Sequence, residues 1–191
     1  GIMKIAIDLD QTILDCVSLI YQISNKLIPA KFKKRLKYAQ LDSNNKSGSH
    51  LLISKMQKAE CYYDIEDAID VINYFFDDGD EIVLLSSRPN FASLNRAVLE
   101  ILNKLQLPYH SLYVKCSNKT LFCLKESVDV LVDNTYKICK HASDNFINAI
   151  FYNPNMLKVD NNSRIVNATS WLEILKAINK FKRAFNSLNR R

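Results

Sequence analysis

The sequence has no pair of cysteines separated by two residues, and its cysteine count of five is odd. These two features give no indication of a disulfide framework or a zinc knuckle. We therefore expect reduced thiols in a cytoplasmic protein. The histidines are scattered, and none is assigned to a metal or catalytic site. The cysteines are Cys16, Cys61, Cys116, Cys123 and Cys139, and the histidines are His50, His110 and His141.

Long apolar runs, secretion signals and internal repeats are also missing. No run approaches the length needed to cross a bilayer, and no stretch after Met3 has the charged, apolar and small-residue order of a secretion signal. The 191 residues match one compact domain with room for an insertion. We expect a cytoplasmic protein that does not contact membranes.

Positive charge exceeds negative charge, with 26 Lys and Arg against 20 Asp and Glu and a formal net charge of +6. Such a field attracts anions, including phosphorylated metabolites and nucleic acid. Solvated helix faces are the preferred interpretation for most of these residues, so nucleic acid is disfavoured as a partner. The two basic clusters are Lys31, Lys33, Lys34, Arg35 and Lys37, and Lys176, Lys180, Lys182, Arg183, Arg190 and Arg191.

Short apolar runs alternate with helix-like segments from residue 64 onward. This order predicts an α/β fold, in which a central parallel sheet is covered by helices on both faces. Asp64 is predicted to cap the first helix, and Gly79 to end it. The predicted strands are 4–8, 82–85, 112–114, 128–132 and 147–151, and the predicted helices are 64–79, 91–106, 118–126, 135–142 and 171–188.

Residues 14–63 lack a strand rhythm and read as helices interrupted by polar loops. The block is too long for an ordinary connection between two strands. We therefore predict a small helical cap over 14–63, inserted after the first strand. The α/β core would then comprise residues 1–13 and 64–191.

Chemically useful side chains follow three of the predicted strands. Asp8 and Asp10 end the first, Ser86 follows the second, and Asp133 ends the fourth. Parallel sheets bind ligands beyond the carboxyl ends of their strands, so these groups are expected to converge. Carboxylates this close need a cation or a shared proton. Asp8 and Asp133 form a hard-oxygen site of the kind that Mg²⁺ prefers.

The same residues suggest a phosphoryl-transfer reaction. Asp8 can attack a phosphoryl group and form an aspartyl phosphate. Asp10 can protonate the leaving alkoxide and then take a proton from water. Ser86, backbone N–H groups and a lysine would hold the phosphoryl oxygens.

The motifs resemble those of the haloacid dehalogenase (HAD) superfamily. They are Asp8-Leu9-Asp10-Gln11-Thr12, then Leu84-Leu85-Ser86, then Lys119 ahead of Val130-Leu131-Val132-Asp133. More narrowly, Tyr62-Tyr63-Asp64, Ser86-Ser87-Arg88-Pro89, and Asn153-Pro154 followed by Arg164 and Trp171 are similar to the cytosolic 5′(3′)-deoxyribonucleotidase branch. The similarity spans nearly the whole chain.

The resemblance implies a Rossmann-like core, Mg²⁺, and hydrolysis of a phosphomonoester through an aspartyl phosphate on Asp8. Asp10 would be the acid/base. Ser86, Ser87 and Lys119 would bind phosphate. The implied metal ligands are Asp8, Asp10 through its backbone carbonyl, and Asp133.

Three departures from the family pattern leave questions open. Gln11 replaces a common Gly, so its turn must accommodate a side chain. Asn134 stands where relatives often have a second Asp and brings no charge. Lys115 and Lys125 compete with Lys119 as the phosphate-binding lysine, and Lys119 is preferred because it begins a predicted helix.

We expect a phosphatase whose partner is a small phosphorylated substrate, with nucleoside monophosphates favoured. Sugar phosphates or another small metabolite are the alternative, and a catalytically silent module that binds nucleic acid or a protein is the alternative from another class. A dehalogenase is disfavoured, because a halide leaves without protonation and gives Asp10 no role. The sequence leaves a monomer and a homodimer open.

Overall fold

The computed structural model describes residues 1–15, 64–87 and 92–189, with side chains omitted for 92–95 and 97. The predicted cap lies outside these residues except for its first two positions, and so do Arg88 and Pro89. Leu14 is buried in the core and forms an isolated bridge with Asp64. The two ends of the intervening segment therefore meet beside the sheet.

Six parallel strands form one sheet within the described residues, in the order β3-β2-β1-β4-β5-β6. Their apolar, β-branched sequences suit strands that are buried on both faces. The strands are β1 (Lys4–Asp8), β2 (Glu81–Leu85), β3 (Ser111–Tyr113), β4 (Val130–Asp133), β5 (Asn148–Tyr152) and β6 (Ile165–Ala168).

Helices cover both faces of this sheet. Ile5, Ile7 and Leu84 point toward a core that includes α1 and α5, whereas Ala6 and Leu131 point toward the layer that includes α4. Side chains alternate across a strand, so one sheet supplies both cores. The helices are α1 (Ala68–Asp77), α2 (Ala92–Lys104), α3 (Lys119–Lys125), α4 (Tyr136–Asp144) and α5 (Trp171–Leu188). The predicted α/β fold, a parallel sheet covered on both faces, is confirmed.

The strand register sets the position of the candidate site. Asp8 pairs with Leu85 of β2, so Ser86 lies one residue beyond Asp8 on the neighbouring strand. On the other side of β1, Ile7 pairs with Val132, which places Asp133 at the same level as Asp8. The three predicted strand ends therefore lie together at the carboxyl edge of the sheet.

Two features of the fold differ from the sequence prediction. The short edge strand β6 was not predicted, because it has only four residues and Asn167 interrupts its apolar character. The first helix begins at Ala68, not near Asp64, and the preceding Asp67 has a φ of 63° and no side-chain capping bond. Gly79, with a φ of 90°, does end this helix in a conformation that suits glycine.

A buried ion cluster fixes α5 to the opposite, amino edge of the sheet. Lys182 donates to Asp80 at 2.6 Å and also to Asp78. The second oxygen of Asp80 accepts the backbone N–H of Met3 at 2.9 Å. The cluster therefore ties α5 to the start of β1 and to the turn before β2. No helix among the described residues is long and apolar enough to cross a membrane.

Candidate active site

A tight turn after β1 orients the carboxylate of Asp8. The N–H of Gln11 donates to the carbonyl of Leu14 at 2.9 Å, and Gln11 takes a φ of 63°. Gln11 thus adopts the left-handed conformation that glycine reaches more easily. The turn brings the hydroxyl of Thr12 to Oδ2 of Asp8, to which it donates at 3.0 Å.

Lys119 lies between two buried carboxylates. Its Nζ donates to Oδ1 of Asp8 at 2.6 Å and to Oδ2 of Asp133 at 2.7 Å. Lys119 is 5% exposed, Asp8 is 7% exposed and Asp133 is fully buried. Lys119 is the first residue of α3, whose N-terminus is capped by Asn118 accepting from Leu121 N–H at 3.0 Å. The capped helix start therefore places this ammonium group.

Asp133 is held from its other side by the chain that follows it. Its Oδ1 accepts the backbone N–H of Thr135 at 2.9 Å. Its backbone carbonyl accepts a weak bond from the Cys139 thiol at 3.6 Å. Both oxygens of this carboxylate thus have donors, as a buried charge requires.

Burial and neighbouring charges shift the pKa values of Asp8 and Lys119. Burial and then the Asp133 charge raise the pKa of Asp8, Lys119 partly opposes them, and the net pKa is about 7. Burial acts to lower the pKa of Lys119, but the charges of Asp133 and Asp8 outweigh it and the net pKa is raised. Lys119 is therefore a cation at neutral pH, and it does not fully offset the buried negative charge.

The remaining predicted residues lie at the same edge. Asp10 is half-buried, and its charge contributes to the raised pKa of Asp8. Ser86 is buried, and its backbone N–H donates to the Tyr113 carbonyl at 2.8 Å. Ser87 is half-buried and follows directly. Their roles in catalysis and phosphate binding stay predictions.

The structure separates the three lysines that compete in the sequence. Lys119 contacts Asp8 and Asp133, whereas Lys115 and Lys125 are exposed. The geometry therefore favours Lys119 as the lysine of the site. Asn134 is half-buried and follows Asp133 directly, and it brings no charge to this position.

The donor chemistry of the site fits magnesium. Among the described residues, no three His, Cys, Asp or Glu side chains are grouped as a metal site. Lys119 nevertheless faces two buried carboxylates, from Asp8 and Asp133, and the charge of Asp10 also acts on Asp8. Burial first, and then the neighbouring Asp133 charge, raise the pKa of Asp8. Hard oxygen donors with excess negative charge suit Mg²⁺.

Sequence reasoning missed one contact to this site. The indole N–H of Trp171, at the start of α5, donates to the backbone carbonyl of Thr12 at 2.8 Å. The two residues are 159 positions apart, so no local pattern indicates the pair. The helical spacing around Trp171 predicts only a core position.

Comparisons with known proteins support the fold. No family model matches the sequence, and no curated protein matches it. Among solved structures, one described as a dehalogenase is similar, with a TM-score of 0.65 and 12% identity over 92% of this chain and 96% of that chain. YfnB of Bacillus subtilis, a HAD-hydrolase candidate bound to magnesium, has a TM-score of 0.64 and 11% identity over 93% of this chain and 99% of that chain.

A third similar structure is a β-phosphoglucomutase candidate from Thermotoga maritima, with a TM-score of 0.62 and 14% identity over 94% of this chain and 99% of that chain. At these identities the likeness establishes the fold. The chain therefore has the Rossmann-like fold of HAD-superfamily hydrolases, as the motif resemblance implies. The neighbours include dehalogenases and a phosphoglucomutase candidate, and they do not single out the nucleotidase branch.

Proposed function

We propose that this protein is a magnesium-dependent phosphomonoester hydrolase that acts through an aspartyl phosphate on Asp8. The observation that carries the proposal is the Lys119 ammonium, which binds Asp8 and Asp133 at the carboxyl edge of the sheet. Asp10 lies close enough to influence the charge of Asp8. This combination provides a nucleophile, an acid and a phosphate-binding cation in one place.

Asp8 is suited to act as the nucleophile because both of its oxygens are oriented. Lys119 holds Oδ1 and the Thr12 hydroxyl holds Oδ2. The terminal torsion of an Asp side chain rotates easily when nothing holds it. The bonds from Lys119 and Thr12 restrict this rotation. In the first step an Asp8 oxygen forms a bond to phosphorus while the bond from phosphorus to the ester oxygen breaks.

Asp10 would serve both half-reactions. It gives its proton to the leaving alkoxide, which is a poor leaving group when unprotonated. It then takes a proton from water, and the water oxygen attacks the phosphorus of the aspartyl phosphate. The bond from phosphorus to Asp8 breaks, which returns the Asp8 carboxylate and releases inorganic phosphate.

Lys119, Ser86 and Ser87 would bind the phosphoryl oxygens. The buried Lys119 cation is the strongest of these donors, because charge-assisted hydrogen bonds strengthen where water is excluded. The carboxylates of Asp8 and Asp133 and the backbone carbonyl of Asp10 would hold Mg²⁺. When bound, Mg²⁺ would polarise a phosphoryl oxygen and neutralise the carboxylates.

We further propose nucleoside monophosphates as the substrate class, on the basis of the motif resemblance to deoxyribonucleotidases. Sugar phosphates are the alternative, since the residues that carry the chemistry would be the same. We also propose a cytoplasmic setting, which accords with the free thiols of Cys116, Cys123 and Cys139. The proposed division is a core of 1–13 and 64–191 with a cap of 14–63.

Phosphate release from a panel of esters tests the proposal. Wild type and Asp8→Asn are assayed on nucleoside monophosphates, sugar phosphates and an aryl phosphate, each with Mg²⁺ or with chelator. Loss of the nucleophile should lower phosphate release by about a thousandfold or more. Asp64→Asn is the matched control, because this residue bridges to Leu14 after the same turn, its side chain is exposed, and the change should leave the rate unaltered.

Chloride release from 2-chloropropionate is measured in parallel, since several of the similar structures are named dehalogenases. Magnesium-dependent phosphate release that disappears with Asp8→Asn supports the proposal. Chloride release without phosphate release would replace it with a dehalogenase. Salt-sensitive nucleic-acid binding with neither activity would favour the silent binding module.

A further inference from the structure

Trp171 is the only tryptophan of the chain, and it is buried beside the candidate site. Its side chain is 1% exposed, and its Nε1 donates to the Thr12 carbonyl at 2.8 Å. A phenylalanine would fill much of the same core volume. The N–H group is what the indole adds, and it is directed at the turn that follows β1.

Thr12 connects this contact to the candidate nucleophile. The Thr12 carbonyl accepts from the Trp171 indole, while the Thr12 hydroxyl donates to Oδ2 of Asp8 at 3.0 Å. Thr12 is fully buried, so water does not reach its carbonyl. Without the indole N–H, the buried Thr12 carbonyl would lose this hydrogen bond, and the turn after β1 would be less restrained.

Trp171 is itself held rigidly. It is the first residue of α5, and the preceding Ser170 side chain accepts the N–H of Glu173 at 3.2 Å. The Glu173 carboxylate in return accepts the N–H of Thr169 at 2.6 Å. This reciprocal capping fixes the first turn of the helix. Farther along α5, Lys182 binds Asp80 at the opposite edge of the sheet.

We infer that Trp171 is a positioning residue that acts through Thr12 to hold Asp8 in the orientation for attack on phosphorus. The inference rests on the proposed function, because it takes Asp8 as the nucleophile. The turn needs an external hold, since Gln11 occupies a left-handed conformation that side chains adopt rarely. A small shift of Thr12 moves the hydroxyl that orients Asp8.

The test removes the indole N–H and keeps the ring shape. Benzothienylalanine replaces this N–H with sulfur, and the substitution touches one site because the chain has one tryptophan. We expect kcat to fall by about 10- to 100-fold, as for a misplaced reacting group. KM and inhibition by inorganic phosphate should change by less than about twofold, since the phosphate-binding groups stay in place.

A double-mutant cycle separates positioning from general support of the fold. Thr12→Val removes the hydroxyl that binds Asp8. If Trp171 acts through Thr12, the analogue should lower kcat far less in the Thr12→Val background than in wild type. Equal effects in both backgrounds would overturn the inference.

Phe75→Leu provides the folding control, because Phe75 is a buried aromatic residue of the same core. It should lower the melting temperature and leave kcat of the folded enzyme unchanged. Trp171→Phe is the second variant, and its kcat is compared at equal folded concentration. An active wild type with unchanged kcat in both Trp171 variants would overturn this inference alone. A wild type that hydrolyses no ester would overturn the proposed function, and the inference with it.

Discussion

Replacing Lys119 with methionine removes the cation that separates two buried carboxylates and retains most of the side-chain volume. In the native protein its Nζ lies 2.6 Å from Asp8 and 2.7 Å from Asp133. Removing one partner of a buried ion pair costs about 3–5 kcal/mol, because the remaining charge is left uncompensated. For a chain of this size the melting temperature should fall by about 10 °C.

The loss of stability should depend on pH in a defined direction. The pKa of Asp8 is already raised to about 7 with Lys119 present, and removing the lysine raises it further. A folded-state carboxylate with a raised pKa is penalised above that pKa, and the penalty disappears as the pH falls toward the unfolded value near about 4. The deficit of Lys119→Met should therefore be largest near about pH 8 and smaller near about pH 5.

Urea denaturation at these pH values measures the deficit, and phosphate release measures the catalytic effect. We expect turnover to fall with stability, because the same cation would bind the phosphoryl group. Lys140→Met is the matched control, since Lys140 pairs with Asp144 on the surface and should change neither quantity measurably. A deficit under about 1 kcal/mol near pH 8, or one independent of pH, would refute this electrostatic reasoning.

Three further predictions concern the framework around the site. Gln11→Gly should stabilise the protein by about 0.5–1 kcal/mol in urea denaturation, because glycine adopts the φ of 63° with less strain; a loss of stability would contradict the strained turn. His110→Ala should cost about 1–3 kcal/mol, because the N–H of buried Ile82 donates to its Nδ1 at 3.0 Å, and His110→Asn should recover part of this by supplying an oxygen acceptor. Equal losses in the two His110 variants would count against that hydrogen bond. Asp80→Ala should cost about 3–5 kcal/mol in thermal or urea unfolding by leaving Lys182 without its buried partner, with kcat unchanged; a matching loss of kcat would show that the amino-edge cluster also controls the site.

Most of the fold was predictable because the strands bury both faces. Continuous apolar sequence marks such strands, and the predicted strand ends fall within one or two residues of the observed ones. The helix that begins at Trp171 and ends at Leu188 has the predicted bounds. The edge strand β6 escapes prediction because pairing with β5 stabilises it more than its own sequence does.

The sequence predicted which side chains of the candidate site meet at the carboxyl edge of the sheet. The rule that ligands bind at the carboxyl ends of parallel strands brings together Asp8, Ser86 and Asp133, and the register agrees. Lys119 was preferred over Lys115 and Lys125 because it lies at the predicted start of the helix before β4, and the structure places that helix start at Lys119. The Trp171 contact with Thr12 depends on tertiary packing alone, so it could be found only in the structure.

Two buried ion clusters at opposite edges of the sheet differ in a way that bears on function. At the amino edge Lys182 pairs with Asp80 and with the exposed Asp78, and its hydrogen bond lowers the pKa of Asp78. At the carboxyl edge both carboxylates that contact Lys119 are buried, and burial together with the Asp133 charge raises the pKa of Asp8 instead.

Each cluster has one lysine and two carboxylates, but at the amino edge the second carboxylate, Asp78, is exposed, so water stabilises its charge. The excess negative charge at the carboxyl edge lowers stability unless a proton or a cation relieves it. This cost is consistent with a site that is completed by a cation and a phosphoryl group. Asp80→Ala should therefore change stability alone, whereas Lys119→Met should change stability and turnover together.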